Sequence, residues 1–159
     1  MVWLWTFLAA SVFAGPSAPL QEKVVHAFSA RDGAPDCEEI NTWAAQDTVQ
    51  STMRDIANTV SMPPWVPMKA ARCVTIGAAK DPASWRLVES WMLDEDTTGF
   101  ALVVTQQIES MTETRAVTLA ELAVKRSAFD PRFGRMAAHH LSASPHTAVV
   151  ELSGKLKTQ

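Results

Sequence analysis

Three histidines, a run of carboxylates, two cysteines and a set of tryptophans are the side chains whose types and spacing could do chemistry in this sequence. His139, His140 and His146 form the densest cluster of potential metal ligands or proton carriers. Adjacent residues on a helix point about 100° apart, so His139 and His140 cannot easily hold one ion. His140 falls on an apolar stripe and reads as a core or groove residue, His139 as exposed, and His146 as part of the following turn. No metal site is expected.

Asp94, Glu95 and Asp96 offer carboxylates for a cation or for acid–base work. Their spacing lacks the alternating ligands and closing glutamate of a calcium-binding loop, so a solvated turn that caps the next helix explains them better. Cys37 and Cys73 are too far apart for a CxxC redox motif. In an oxidising compartment such a pair forms a disulfide, and closing this loop stabilises the fold by roughly 3 to 4 kcal/mol in the chain-entropy treatment. Trp65, Trp85 and Trp91 read first as core and second as the wall of a ligand groove. With exposed His139, they make up the candidate binding surface. The sequence holds no GxSxG elbow, HExxH, phosphate-binding loop or glycine-rich dinucleotide turn. A non-catalytic protein without a cofactor is therefore expected.

Before any site can form, the chain must be delivered and folded. Val2 to Phe13 is an almost unbroken apolar run, and Val12, Phe13 and Ala14 place small residues at the −3 and −1 positions of a signal-peptide cleavage site. Cleavage after Ala14 is expected, with Ala18 as a second option disfavoured by Pro19. The run is shorter than the ~20 residues that a spanning helix needs, so no membrane anchor is expected in the mature form. The n-region carries no lysine or arginine.

The apolar share of 47% supports one domain with a real core. A net charge of −3, with both signs mixed along the chain, provides no footprint for nucleic acid. Tyrosine is absent, and the apolar residues of the mature part favour helix over strand.

Residues 15–35 mix Pro, Ser, Gly and charges, and read as a flexible leader in which Val24, Val25 and Phe28 could dock locally. The helical domain then covers 36–159. Asp36 with Glu39 fits a capping box, and Ile40, Trp43 and Ala44 share a face. Val49, Met53, Ile56 and Val60 continue a helical period after a break near Asp47, and Pro63 and Pro64 end it. Val66, Ala70, Cys73 and Val74 form the next stripe, ending near Gly77. Asp81 before Pro82 and Asp130 before Pro131 each combine an N-cap with a proline at the first helical position. Trp85, Val88 and Met92 line the first of these helices, with Leu87 and Trp91 widening the face, and Phe133, Met136, Ala137, His140 and Leu141 line the second. Between them lie Phe100, Ala101, Val104, Ile108 and Met111, then Ala116, Leu119, Ala120 and Ala123. Ser144 and Pro145 open a last helix with Val149, Leu152 and Leu156.

These stripes repeat. Val66, Ala70 and Val74 correspond to Phe100, Val104 and Ile108 and then to Phe133, Ala137 and Leu141, at offsets of 34 and 33 residues. Val88 and Met92 correspond to Leu119 and Ala123, then to Leu152 and Leu156, at offsets of 31 and 33. Two interleaved series with one period mark a stacked helix-pair array, whose repeats bury their apolar faces only against each other. An irregular bundle of evenly spaced short helices is the alternative.

Val66 to Leu156 resembles HEAT repeats of the compact bacterial kind. The likeness rests on the alanine-rich helix Ala70, Ala71, Arg72, Cys73 and on the turns Asp94, Glu95, Asp96 and Asp130, Pro131, Arg132. The chain departs from the family where an arginine usually follows the acidic turn, since Gly99 or Phe100 stands there. The resemblance implies an all-α, short right-handed solenoid of antiparallel helix pairs that serves as a scaffold for a protein partner. The expectation is an exported protein-interaction module. The alternative is a carrier holding an apolar ligand among Trp85, Trp91, Met92 and Phe100, and a remote third is an enzyme using His140.

Overall fold

In the computed structural model, which describes residues 18–30, 32–59 and 61–157, the chain is all-helical, with no strand among the described residues. The helices are α1 (Ala18–Ser29), α2 (Cys37–Asn41), α3 (Gln46–Ala57), α4 (Trp65–Gly77), α5 (Pro82–Leu93), α6 (Thr98–Gln106), α7 (Glu113–Ser127), α8 (Pro131–Ser142) and α9 (Thr147–Lys157). Single 3-10 turns at Glu95–Thr97 and Ile108–Ser110 flank α6. The expected signal peptide at 1–14 lies outside the described residues.

Helix starts follow the capping chemistry. The Asp36 carboxylate accepts from the Glu39 amide at 2.8 Å, Asp81 from Ser84 at 3.0 Å, and Asp130 from Phe133 at 3.0 Å. Each satisfies one of the amide donors that a helix leaves open in its first turn. The prolines after Asp81 and Asp130 occupy positions where a missing N–H costs little.

Helices pack in a regular order. α4 touches α6 and α6 touches α8, while α5 touches α7 and α7 touches α9. Diagonal contacts join α5 to α6 and α7 to α8, and at the N-terminal side α1 packs on α3 and α4. Val66, Ala70 and Val74 of α4, Val104 of α6, and Phe133, Ala137 and Leu141 of α8 are all fully buried between these layers. Val88 and Met92 of α5, Leu119 and Ala123 of α7, and Leu156 of α9 fill the space on the other side. Each large side chain removed from water contributes on the order of 1.5–3 kcal/mol, so the repeated stripes are what hold the layers together.

The Cys37–Cys73 disulfide is present and ties the short α2 to the middle of α4. A helix of five residues cannot persist alone. Cys37 and buried Ile40 anchor it from one side.

Several expectations need correction. The supposed leader 15–35 contains α1, whose Val24 and Phe28 are buried against α3 and α4. Leu20, Val24 and Phe28 recur at steps of four, but flanking Ser, Pro and Gly disguise the period. The end of α1 is completed from afar, because Lys69 of α4 donates to the carbonyls of Phe28 at 3.1 Å and Ala30 at 2.6 Å. On α8 the buried stripe is narrower than expected: Met136 is 51% exposed and His140 only half-buried. On α5 it is Trp91 and not Trp85 that is buried. The arginine of Arg115 lies 5.0 Å over the half-buried Trp85 ring and covers it. Finally, α6 stops at Gln106, and Ile108 reaches the core from a 3-10 turn, with Met111 buried just beyond it.

Candidate functional site

An open apolar groove of about 440 Å³ lies where the end of α3, the α3–α4 connection, the first turn of α4 and the α5–α6 junction meet. Ala57, Asn58 and Thr59 close one end, while Met62, Pro64, Pro67 and Met68 form one wall. Trp91, Thr97 and Phe100 form the other. Its volume falls in the range of ordinary ligand pockets.

Local sequence explains the shape. Pro64 and Pro67 have no backbone N–H, so that wall presents few donors. Met62 and Met68 are unbranched and polarizable, so this wall can change shape at little cost. On the opposite wall Trp91 and Phe100 stack with ring centroids 4.9 Å apart and planes at 17°. Trp91 is only 3% exposed, while Phe100 is half-buried and offers more of its surface. Gly99 faces the end of the Met68 side chain: a Cβ there would sit 3.4 Å from the Met68 Cε, in ordinary contact.

Behind the aromatic wall, Arg126 near the end of α7 is completely buried. Its Nη1 donates to the Trp91 carbonyl at 3.0 Å and the Asp94 carbonyl at 2.6 Å. Its Nη2 donates to the Glu95 carbonyl at 3.2 Å and to the Thr98 hydroxyl at 2.9 Å. The last carbonyls of a helix have no partner within it, and here a planar guanidinium supplies one. The Thr97 hydroxyl also donates to the Trp91 carbonyl, at 2.7 Å. Phe129 and Phe133 flank the guanidinium at 5.5 and 5.2 Å.

Burial holds the Arg126 pKa below its ordinary value, opposed by the charges of Asp130, Asp94 and Glu95. The Thr98 hydroxyl donates to Asp130 at 2.9 Å and links this cluster to the cap of α8. Asp130 itself lies below the usual carboxylate range, chiefly through the Phe133 amide, against burial and with help from Thr98 and Arg126.

The four residues expected to form one binding surface are not brought together. Trp91 lines the groove. Trp65, 42% exposed, begins α4 beside Pro64 but does not line it. Trp85 lies elsewhere on α5 under Arg115. His139 belongs to a separate recess on α8 with Arg135, Ala138 and Ser142. Its ring meets that of His140 edge-on at 5.5 Å, and burial followed by the His139 charge lowers the His140 pKa. Of the residues considered for enclosing an apolar ligand, Trp91 and Phe100 share the groove, while Met92 is fully buried in the core. Among the described residues no three His, Cys, Asp or Glu side chains gather as a metal-binding group.

Sequence reasoning missed the methionine and proline wall and Arg126. The run Met62-Pro63-Pro64-Trp65-Val66-Pro67-Met68 was legible as a helix break, yet it also builds half the groove. Arg126 lies three residues after Ala123 and seven after Leu119, on the inward stripe of α7, and that placement is its signal. Among the described residues no helix is long and apolar enough to cross a membrane. No protein family, curated protein or solved structure matches the chain.

Proposed function

We propose that this chain is an exported, non-catalytic protein-interaction module, built as a short HEAT-like right-handed solenoid that binds a segment of a protein partner in its groove. The observation that carries the reading is the groove itself. It is an accessible apolar recess lined by two methionines, two prolines and a stacked aromatic pair.

Successive contacts of α4, α6 and α8, and of α5, α7 and α9, support the solenoid arrangement, because such arrays pack each repeat on its neighbours. The buried disulfide supports export, since thiols are kept reduced in most cytosols. The apolar run before Ala14 supports a cleaved signal peptide, and the mature chain would then begin at Gly15 and retain all of α1. The second reading, a carrier of a small apolar ligand, draws on the same groove.

Photo-methionine incorporated in source cells separates the two, because it places a crosslinking group at Met62 and Met68. A protein adduct at either position in the exported fraction is expected. A lipid adduct there would favour the carrier, and adducts confined to other methionines would remove the groove from the account.

A further inference from the structure

We infer that the partner segment is basic as well as apolar: a short stretch of large apolar residues flanked by lysine or arginine. This rests on the interaction-module reading and specifies the chemistry of its partner.

The groove lining is mostly apolar, and an exposed acidic stretch immediately precedes its lining residue Thr97. Asp94, Glu95 and Asp96 lie in the chain between the groove residues Trp91 and Thr97, and all three are exposed. The Asp94 carboxylate accepts from the Asp96 amide at 3.0 Å, so the 3-10 turn holds this loop in place. Among the described residues the Glu95 and Asp96 carboxylates accept no hydrogen bond, and the Glu95 charge also acts on Arg126.

No basic residue lines the groove. Two basic residues on neighbouring elements are engaged: Arg126 is buried with its guanidinium on backbone carbonyls, and Lys69 is held on the end of α1. Asp55, on the last turn of α3, is a further exposed carboxylate two residues before the lining residue Ala57. Exposed carboxylates next to the lining residues of an apolar groove favour a cationic segment and disfavour fatty acids or anionic lipid headgroups, whose carboxylate or phosphate they would repel.

The test uses three fluorescent peptides with one leucine- and phenylalanine-rich centre and flanks of lysine, glutamine or glutamate, titrated against the oxidised full chain. Exposed charge pairs contribute modestly and are screened by salt, so the lysine peptide should bind about five- to tenfold more tightly than the glutamate peptide at ~0.05 M salt. That ratio should fall to about twofold or less at ~0.5 M salt, and similarly in the Glu95→Gln/Asp96→Asn variant at low salt. Equal binding of all three peptides overturns the basic-partner inference and leaves the interaction module standing. Binding of none of them, with palmitate instead quenching tryptophan fluorescence, overturns the interaction module itself.

Discussion

The guanidinium of Arg126 donates to the main-chain carbonyl of Trp91 across 35 positions of sequence, at 3.0 Å, and so sets the backbone from which the aromatic wall of the groove projects. The same side chain reaches the carbonyls of Asp94 and Glu95 and the hydroxyl of Thr98, and one residue thereby joins α7 to the α5–α6 junction. The groove wall built from Trp91 of α5 and Phe100 of α6 is thereby tied to α7.

Arg126→Lys should therefore destabilise the fold even though charge is retained, because an ammonium cannot satisfy several carbonyls in one plane. Arg126→Ala should cost about 3–5 kcal/mol, since it leaves buried carbonyls without donors. Urea denaturation measures both, and near-UV circular dichroism reports whether the Trp91–Phe100 stack survives. A loss below ~1 kcal/mol in Arg126→Ala would show that water replaces the guanidinium without penalty.

The disulfide should matter most for the N-terminal layer. Replacing both Cys37 and Cys73 by alanine should lower stability by roughly 3 to 4 kcal/mol, mostly by freeing the unfolded chain. Hydrogen exchange should accelerate first in α1 and α2, which pack on α4 and have little structure of their own. Uniform exchange rates in the variant and the parent would contradict this placement.

Two glycines give opposite expectations for the same substitution. A Cβ at Gly134 of α8 would lie 2.7 Å from the Ser127 Cβ, so the helices approach through the missing side chain. Gly134→Ala should cost about 1–3 kcal/mol through overpacking, despite alanine's better helix propensity. A Cβ at Gly154 of α9 meets nothing within 4 Å, and Gly154→Ala should stabilise by about 0.5–1 kcal/mol. Thermal melts of the two variants decide the sign of each.

Acid should weaken the fold in two stages. Burial, and then the charge of His139, lowers the His140 pKa beneath its ordinary 6.5, so the unfolded chain takes up this proton first. Stability present above pH 6.5 is lost as the pH falls through the folded value. Asp130 and Asp81 act further down. For Asp81, burial pushes the carboxyl up, but the Ser84 hydroxyl and amide, the Ala83 amide and Arg54 together bring it below the ordinary 3.8. Both carboxylates contribute stability above that value that disappears as they protonate in the fold. His140→Gln should flatten the upper stage of a stability–pH curve and Asp130→Asn the lower. A curve unchanged by either substitution would show that other groups govern acid unfolding.

What the sequence disclosed and what it hid divide along physical lines. Helix starts at Asp81 and Asp130 were legible because capping is local: a short carboxylate side chain reaches an amide two or three residues ahead. The buried series from Val66 to Leu141 was legible because helical periodicity is local as well. α1 was hidden because flanking Ser, Pro and Gly disguise its four-residue period and its end is completed by Lys69, 41 residues from Phe28. The groove was hidden because its lining comes from distant parts of the chain. Trp91 was named as a candidate, but nothing in the spacing of Met62, Met68 and Phe100 says that three separate elements converge on it. Trp85 and Trp65 look equivalent to Trp91 in sequence, and only packing separates the ring that lines a recess from the rings beside it.

The most direct test of the account labels the methionine methyl groups with carbon-13 and follows them by NMR as the lysine-flanked apolar peptide is added. Met62 and Met68 line the groove, while Met53 and Met92 are fully buried away from it and Met136 is exposed on α8. The account expects the Met62 and Met68 signals to move together and saturate, with Met53, Met92 and Met136 unmoved. Saturating movement at Met136 with Met62 and Met68 unchanged would contradict it and place the binding surface on α8.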